Sequence, residues 1–160
     1  MCDGMSVEGL RRELRRRFEE DRRRRDELRR EIQLLKDNRH KLARHLQEVR
    51  EGAPFSRIQE IGREIGMSIE EPHLGRVMLL RRLREELERM NGRLQDAERE
   101  LRGVEERLEE GIQCPMCHGI GHITRPHIVR EGDIIQEVHE TRRCPLCKGS
   151  GRIRMEDVLS

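Results

Sequence analysis

The sequence predicts a mainly α-helical protein, in which two long coiled-coil helices form an antiparallel hairpin that dimerises. A small β-hairpin module, held together through its own cysteines, follows them. Three observations lead to this fold class. Charged residues make up 41% of the 160 residues and aromatic residues 1%, so the chain lacks the large apolar side chains of an ordinary globular core. Two long segments instead carry apolar residues at coiled-coil spacing. Two Cys-x-x-Cys-x-Gly-x-Gly motifs come after these segments.

The first coiled-coil segment covers residues 1–51. Its helix is expected to begin at Ser6, a suitable N-cap, with Glu8 in the first turn, where the helix dipole favours an acidic side chain. An apolar stripe starts the helix at Leu10, Leu14 and Phe18. The seam itself follows in alternating steps of three and four, interrupted only at Arg39: Leu28, Ile32, Leu35, Leu42, Leu46 and Val49.

Residues 52–74 form the predicted connector, in which isoleucines at helical spacing indicate a short amphipathic helix ending at Gly66: Ile58, Ile61 and Ile65. Ser68 and Glu71 form a candidate capping box, and Pro72 can delay the next helix by a turn. The second coiled-coil segment covers residues 75–111. Its seam runs unbroken through four heptads: Leu80, Leu83, Leu87, Met90, Leu94, Ala97, Leu101, Val104 and Leu108.

Two helices of similar length around a compact connector favour an antiparallel hairpin, with Leu46 near Leu80 and Phe18 near Leu108. Because one seam per helix buries little surface, we expect the hairpin to associate into a homodimer. A parallel dimer without the hairpin is the main alternative, and the seam spacing does not separate the two.

The helical part is interpreted as a spacer or dimerisation rod, although its Arg-rich stretch offers an alternative role. From Arg11 to Arg30 there are eleven arginines and six acidic residues, an excess that could contact nucleic acid. The acidic residues are interleaved at helical spacing, as expected for ion pairs within a helix. Over the whole chain, 34 basic and 32 acidic residues nearly balance, which disfavours a polycation that wraps nucleic acid.

The two cysteine motifs, CPMCHGIG and CPLCKGSG, predict one metal site formed by four thiolates: Cys114, Cys117, Cys144 and Cys147. Each Cys-x-x-Cys turn aims two thiolates at one ion, and two such turns complete a tetrahedron. The glycines of each motif allow the positive φ angles that point backbone N–H groups at sulfur. Four sulfur ligands favour one structural Zn²⁺ per chain, while an iron–sulfur cluster or mononuclear iron uses the same ligand set.

The expected zinc module covers residues 112–154, and residues 155–160 form a tail. Between the motifs, HITRPHIVR and IIQEVHETRR flank Glu131-Gly132-Asp133 and predict a β-hairpin with Pro126 at an edge position. Because the module has too few apolar groups to fold by their burial alone, metal binding is expected to hold it together.

No catalytic residue is predicted, so the protein is not expected to be an enzyme or to have a small-molecule substrate. Four thiolates leave no coordination position open for a water molecule. The nearby histidines are therefore expected to be solvated rather than ligands: His118, His122, His127 and His139. Thiol–disulfide exchange by the Cys-x-x-Cys pairs is a distant alternative, and Cys2 is assigned no role.

The cysteine usage and hydropathy favour a cytoplasmic protein. Paired cysteines in a reducing compartment indicate metal binding more often than disulfides. The N-terminal sequence MCDGMSVEGLRREL has no apolar core of a signal peptide, and no apolar run reaches the roughly 18 residues that span a bilayer. We therefore expect no membrane partner.

Over residues 112–153, CPMCHGIG and CPLCKGSG resemble the cysteine-rich zinc-finger domain of DnaJ-type chaperones. That family has four such repeats that bind two zinc ions around a β-hairpin, and its domain contributes to handling unfolded proteins. The resemblance implies that Cys114, Cys117, Cys144 and Cys147 ligate one ion. This chain has two repeats and no His-Pro-Asp tripeptide of a J-domain, so co-chaperone activity is not implied. A two-repeat module also resembles the anti-TRAP regulators, which use a zinc fold to bind another protein.

The sequence thus predicts a non-enzymatic adaptor or scaffold, in which a coiled coil presents a zinc module that binds another protein. The alternative is a nucleic-acid-binding regulator. It would use the Arg-rich helix and the basic residues of the module: Arg125, Arg130, Arg142, Arg143, Lys148, Arg152 and Arg154. Six acidic residues and no aromatic side chain accompany them after Gly111, which argues against stacking on single strands.

Overall fold

The computed structural model of the protein describes residues 6–159 and is mainly helical, as the sequence predicts. Helix α1 spans Val7–Arg50, α2 Phe55–Glu64, α3 Pro72–Glu110 and α4 Met155–Leu159. The strands are β1 (Ile112–Gln113), β2 (His122–Glu131), β3 (Ile134–Arg143) and β4 (Arg152–Ile153). They pair as two separate antiparallel sheets, β1 with β4 and β2 with β3.

The chain divides into two compact units. One comprises residues 1–25 and 102–160, and the other residues 26–101. The long helices α1 and α3, of 44 and 39 residues, each contribute a segment to both units.

The unit of residues 26–101 is built on one apolar core that joins the end of α1, the connector and the start of α3: Leu46, Val49, Ile58, Ile61, Ile69, Leu79 and Leu83. Farther from the connector, Lys36 on α1 lies 3.6 Å from Glu98 on α3. The two helical segments therefore run in opposite directions in this unit. The predicted seam is buried at Leu83 and Leu94, but the fully buried Leu79 lies outside it and Leu80 is half-buried. The connector explains this difference, because Ile69 and the buried isoleucines of α2 belong to the same apolar core as Leu79.

The connector contains the predicted short helix, α2, followed by Gly66 at φ +78°. The start of α3 differs from the expected capping box. Its first residue is Pro72, and the carboxylate of Glu71 accepts hydrogen bonds from the N–H groups of His73 at 3.3 Å and Leu74 at 2.6 Å. Glu71 thus caps the helix in place of Ser68. Because the helix begins at Pro72, the free N–H groups of its first turn belong to the residues just after the proline, and the Glu71 carboxylate accepts from them.

In the other unit, the start of α1 and the end of α3 supply buried apolar residues: Leu14, Phe18, Val104 and Leu108. Ser6 caps α1 as predicted, since its Oγ accepts a hydrogen bond from the N–H of Gly9 at 3.1 Å. Arg107 of α3 forms two hydrogen bonds with Asp21 of α1, at 2.8 and 3.0 Å. The expected proximity of these two helical segments is therefore seen within this unit.

The tail contains helix α4, which the sequence did not predict. Val158 on this helix is buried, and its carbonyl oxygen accepts a hydrogen bond from Nε of Arg15 on α1 at 2.9 Å. The carboxylate of Asp157 accepts a bond from the N–H of Arg154 at 2.9 Å, which satisfies a donor at the start of the helix. Residues 155–159 are thus part of the packed unit.

None of the helices in the described part of the chain is both long enough and apolar enough to span a membrane.

Candidate metal centre

The two cysteine motifs have nearly the same backbone conformation. After the second cysteine of each motif comes a non-glycine residue in the left-handed region, His118 at φ 52° and Lys148 at φ 55°. The two glycines that follow also have positive φ: Gly119 and Gly121 in the first motif, Gly149 and Gly151 in the second. This run of positive φ angles curls the backbone of each motif over the two cysteines of that motif, as the glycine spacing predicted.

Backbone hydrogen bonds join the motifs reciprocally. The N–H of Cys114 donates to the carbonyl oxygen of Gly151 at 2.9 Å, and the N–H of Cys144 donates to that of Gly121 at 3.0 Å. The short pairing of β1 with β4 lies beside the first of these bonds, with Gln113 opposite Arg152. Each motif therefore positions the first cysteine of the other.

The motifs also approach too closely for side chains at two of the glycines. A Cβ atom on Gly121 would overlap the carbonyl oxygen of Gly149, and one on Gly151 would overlap the carbonyl oxygen of Gly119. These glycines are thus required by space as well as by backbone conformation.

The motifs bring the four predicted cysteines together. Their exposed fractions lie between 0% and 7%, and their sulfur atoms are all within 4.8 Å of one another. The distances are 3.7 Å from Cys114 Sγ to Cys144 Sγ and 3.6 Å from Cys117 Sγ to Cys147 Sγ. A tetrahedral ion with metal–sulfur bonds of about 2.3 Å requires sulfur atoms about 3.8 Å apart, whereas a disulfide requires about 2.05 Å. The arrangement therefore fits one metal ion held by four thiolates.

Two backbone donors support the second cysteine of each motif. The N–H of Gly121 points at Cys117 Sγ at 3.2 Å, and the N–H of Gly151 points at Cys147 Sγ at 3.3 Å. Such bonds stabilise a thiolate and were expected from the glycine spacing. For Cys147, burial raises the pKa, but hydrogen bonds from the backbone of Gly151 and Gly149 and with the other thiols outweigh it and lower that pKa to about 7.

The first cysteines of the motifs are more strongly desolvated. Burial raises the pKa of Cys114 to about 12 and also raises the pKa of Cys144. Four sulfur atoms in a dry cluster thus do not ionise together unless a cation compensates their charge. A bound divalent ion supplies that compensation and deprotonates coordinating thiols, so the electrostatics of the cluster also fit a metal site.

Two further side chains fix the site to its surroundings, and the sequence analysis did not assign them this role. Gln113 donates from Nε2 to the carbonyl oxygen of His118 at 2.6 Å and so holds the first motif. Arg152 donates to the carbonyl oxygens of Glu110 at 3.1 Å and Gly111 at 2.8 Å, at the end of α3. Gly111, at φ +77°, directly follows the last residue of α3, and a glycine at this position is the sequence signal for the C-terminal end of a helix.

The other candidate residues lie outside the cluster. His118 is exposed within the first motif, and His122, His127 and His139 are exposed on β2 and β3. Of the histidines, cysteines and carboxylates among residues 6–159, the four cysteines are the set that comes close enough to hold an ion. Among the basic residues, Arg142 forms two 2.9 Å hydrogen bonds with Glu140. Cys2 lies outside the described residues.

Strands β2 and β3 form a β-arm, defined here as residues 122–143, that extends from the metal site. The predicted Gly-containing turn is present, and two residues, Gly132 at φ 63° and Asp133, join the strands. The register pairs Glu131 with Ile134 and continues to His122 with Arg143. Large apolar side chains of the arm are exposed by 39 to 73%: Ile128, Ile134, Ile135 and Val138. The β-arm thus extends from the four-cysteine cluster as a ribbon with both faces open to solvent.

Comparison with known proteins gives no further guide to this site, since no protein-family model, curated protein or solved structure matches the chain.

Proposed function

We propose that the protein is a non-enzymatic adaptor or scaffold, in which paired helices present a zinc-bound module whose β-arm binds another protein. The observation that carries the proposal is the combination of a buried four-cysteine cluster with an exposed apolar arm. A two-stranded ribbon alone is marginally stable in water, so a metal-anchored ribbon is suited to present a surface rather than to form a core.

Zinc is the proposed ion, and its proposed role is structural. Thiolates are soft ligands that Zn²⁺ accepts in tetrahedral geometry, and four of them fill its coordination sphere. A filled sphere leaves no place for a metal-bound water or substrate. We accordingly propose no reaction at this site. The local likeness of the motifs to the DnaJ-type zinc finger supports the same ligand assignment.

The chemistry of the β-arm favours a protein partner. Between His122 and Arg143 the arm carries four arginines and four acidic residues, so its formal charge is balanced apart from histidine. It has no aromatic side chain for stacking on bases. Exposed isoleucine and valine side chains are complementary to an apolar surface, and the partner we propose is therefore a protein that buries them.

For the helices, we propose coiled-coil pairing of α1 with α3 and self-association into a dimer. The buried positions in the described helices recur at mixed steps of three and four, for example at Leu28, Ile32 and Leu35. Exposed Leu74, Val77 and Met78 form an apolar stripe on α3 that a second copy could bury. Sedimentation of the purified chain tests this part separately: a monomer across the micromolar range would rule it out.

The partner proposal is tested by affinity capture from native lysate, with arm and helix variants compared side by side. Ile128→Asn and Ile135→Asn remove exposed apolar groups from the arm, whereas Leu34→Asn removes one of similar exposure, 60%, from α1. We expect the arm variants to lose specific captured proteins and the Leu34 variant to retain them. Zinc content per chain is measured for each variant, so that loss of capture is separated from loss of the module.

A chain stripped of zinc provides the second comparison. If it captures the same proteins as the zinc-bound chain, or if the arm variants capture as much as the Leu34 variant, the adaptor proposal is wrong for this surface.

A further inference from the structure

The two long edges of the β-arm are chemically different. In a ribbon closed by a two-residue turn, the closing pair, Glu131 and Ile134, is joined by the hydrogen bond of the turn. Bonded and non-bonded pairs then alternate along an antiparallel ladder. The pair of Pro126 and His139 lies five steps from the closing pair and is therefore non-bonded. Main-chain groups of such residues point away from the ribbon, towards its open edges.

Pro126 consequently removes a donor from the open edge of β2 near its centre. Proline on an edge strand is one of the features that prevent pairing with another chain. At position 126 it removes no hydrogen bond from within the ribbon. The open edge of β3 has no proline. Its outward-pointing groups belong to alternate residues, all of which have an N–H: Ile135, Glu137, His139, Thr141 and Arg143.

The sheet that contains β3 has no other strand than β2 in the described chain, so the β3 edge is open along its length. An open edge with exposed apolar neighbours on both sides is a template for an added strand. We propose that this strand is β3 of a second copy of the chain, which pairs antiparallel about a two-fold axis at Val138.

The side chains favour this register over its neighbours. With Val138 opposite Val138 of the other copy, Glu137 lies opposite His139, and Gln136 lies opposite Glu140. Ile135 then lies opposite Thr141. A two-fold axis one residue earlier places Glu137 opposite itself, and an axis one residue later places His139 opposite itself. A carboxylate that accepts a hydrogen bond from an imidazole N–H forms a favourable cross-strand pair, whereas two carboxylates opposite each other repel, and an axis at His139 leaves Glu137 without the imidazole.

The same geometry limits the pairing of β-arms to two chains. The four strands follow the order β2, β3, β3 and β2, so both outer edges belong to β2 and carry Pro126. Further growth would require pairing on an edge that lacks a central donor. This interface is separate from the proposed coiled-coil dimer and from the proposed protein partner, because it uses the backbone edge of β3 and leaves the faces of the arm open.

The inference is tested by disulfide trapping in the zinc-loaded full-length chain with Cys2→Ser. In the proposed register, the Cβ atoms of Val138→Cys in two copies lie about 5 Å apart, close to the spacing that a disulfide requires. Oxidised glutathione should convert this variant into a covalent dimer. Position 136 of one chain lies roughly 14 Å from position 136 of the other, so Gln136→Cys should cross-link about tenfold more slowly. The same holds for Glu140→Cys.

A mixture of the Gln136→Cys and Glu140→Cys chains provides the test of register, since these positions face each other across the axis. The mixture should cross-link as readily as Val138→Cys does with itself. Equal rates for Val138→Cys and Gln136→Cys, or an inert mixture, would overturn the proposal.

Glu137→Pro tests the backbone edge of β3 directly. In the Val138→Cys background it removes an outward N–H from β3 but none of the ribbon's internal bonds, and trapping should fall by about tenfold. Arg130→Pro makes the matched change on the β2 edge and should leave trapping unchanged. Zinc content per chain verifies the module in both. Undiminished trapping in Glu137→Pro would show that β3 does not pair.

Discussion

Gly121 and Gly149 lie so close that a Cβ atom on Gly121 would overlap the carbonyl oxygen of Gly149. Both residues have positive φ, at 88° and 96°, but Gly149 has room for a Cβ, whose nearest neighbour would be Cδ of Arg143 at 3.8 Å. The pair therefore separates two reasons for glycine in the motif. At Gly149 the reason is conformational, whereas at Gly121 the contact with the opposite motif adds to it.

We predict that Gly121→Ala weakens zinc binding more than Gly149→Ala does. The added Cβ atom at Gly121 displaces the second motif and so disturbs the groups that orient the ligands. Such changes lower metal affinity by about 10- to 100-fold. Both substitutions add backbone strain of about 1–3 kcal/mol, and Gly149→Ala should have the smaller effect because it does not also displace the opposite motif. Competition with a chromophoric chelator measures both affinities. Equal losses would indicate that the contact between the motifs is unimportant.

Cys117→Ser is expected to unfold the module while leaving most of the helical structure in place. The substitution breaks a site whose binding free energy is about 10–16 kcal/mol in small zinc modules. The apolar core of residues 26–101 contains no cysteine and should persist. Amide NMR signals of residues 112–153 should lose their dispersion, and circular dichroism at the helical minimum should change little.

The control for this experiment is Cys2→Ser, which changes a thiol outside the predicted ligand set and should bind zinc like the parent chain. Loss of both the module and the helices in Cys117→Ser would mean that they fold as one unit.

The sequence predicted those features that depend on local rules. The cysteine and glycine spacing predicted the four-sulfur cluster, because both the ligand geometry and the positive φ angles are properties of short segments. Ser6 at the start of α1 and the turn at Gly132 follow similarly from local hydrogen bonding and backbone freedom. In each case the residue type restricts the conformation before any tertiary contact forms.

Features that depend on contacts between distant segments were missed. Strands β1 and β4 have two residues each, too few to show a periodicity, and they exist because the motifs dock on each other. Leu79 is buried because the connector adds a second packing partner, which a single heptad seam does not describe. The role of Arg152 at the end of α3 likewise depends on a residue about forty positions away.

The ion pairs of Glu64 make a small contribution to stability that depends on pH. Hydrogen bonds from Lys41 and from His45 hold the pKa of Glu64 below its ordinary value of 4.5 in the folded state. Stabilisation by a lowered carboxyl pKa is complete above the unfolded value and is lost as the pH falls through the folded value. Because Glu64 is 36% exposed, its contribution at neutral pH should be below about 1 kcal/mol.

Urea unfolding of the parent chain and Glu64→Gln measures this contribution. Their difference in unfolding free energy should be present at pH 7 and should disappear below the ordinary carboxyl range. Glu70→Gln, at an exposed connector position, should show no such difference. A gap between the parent and Glu64→Gln that persists at acidic pH would contradict the assignment to the Glu64 charge.

Nucleic-acid binding by the Arg-rich part of α1 is expected to be weak, because acidic neighbours occupy some of its arginines. Arg16 forms 2.6 Å ion pairs with both Glu13 and Glu20. A double variant, Glu13→Gln with Glu20→Gln, should therefore bind a fluorescent RNA or DNA oligonucleotide more tightly than the parent, with an affinity that falls steeply between about 50 and 200 mM salt. Glu85→Gln with Glu88→Gln on α3 removes the same charge outside this stretch and provides the control. Tight, strongly salt-dependent binding by the unmodified chain would instead favour the nucleic-acid-binding alternative over the adaptor.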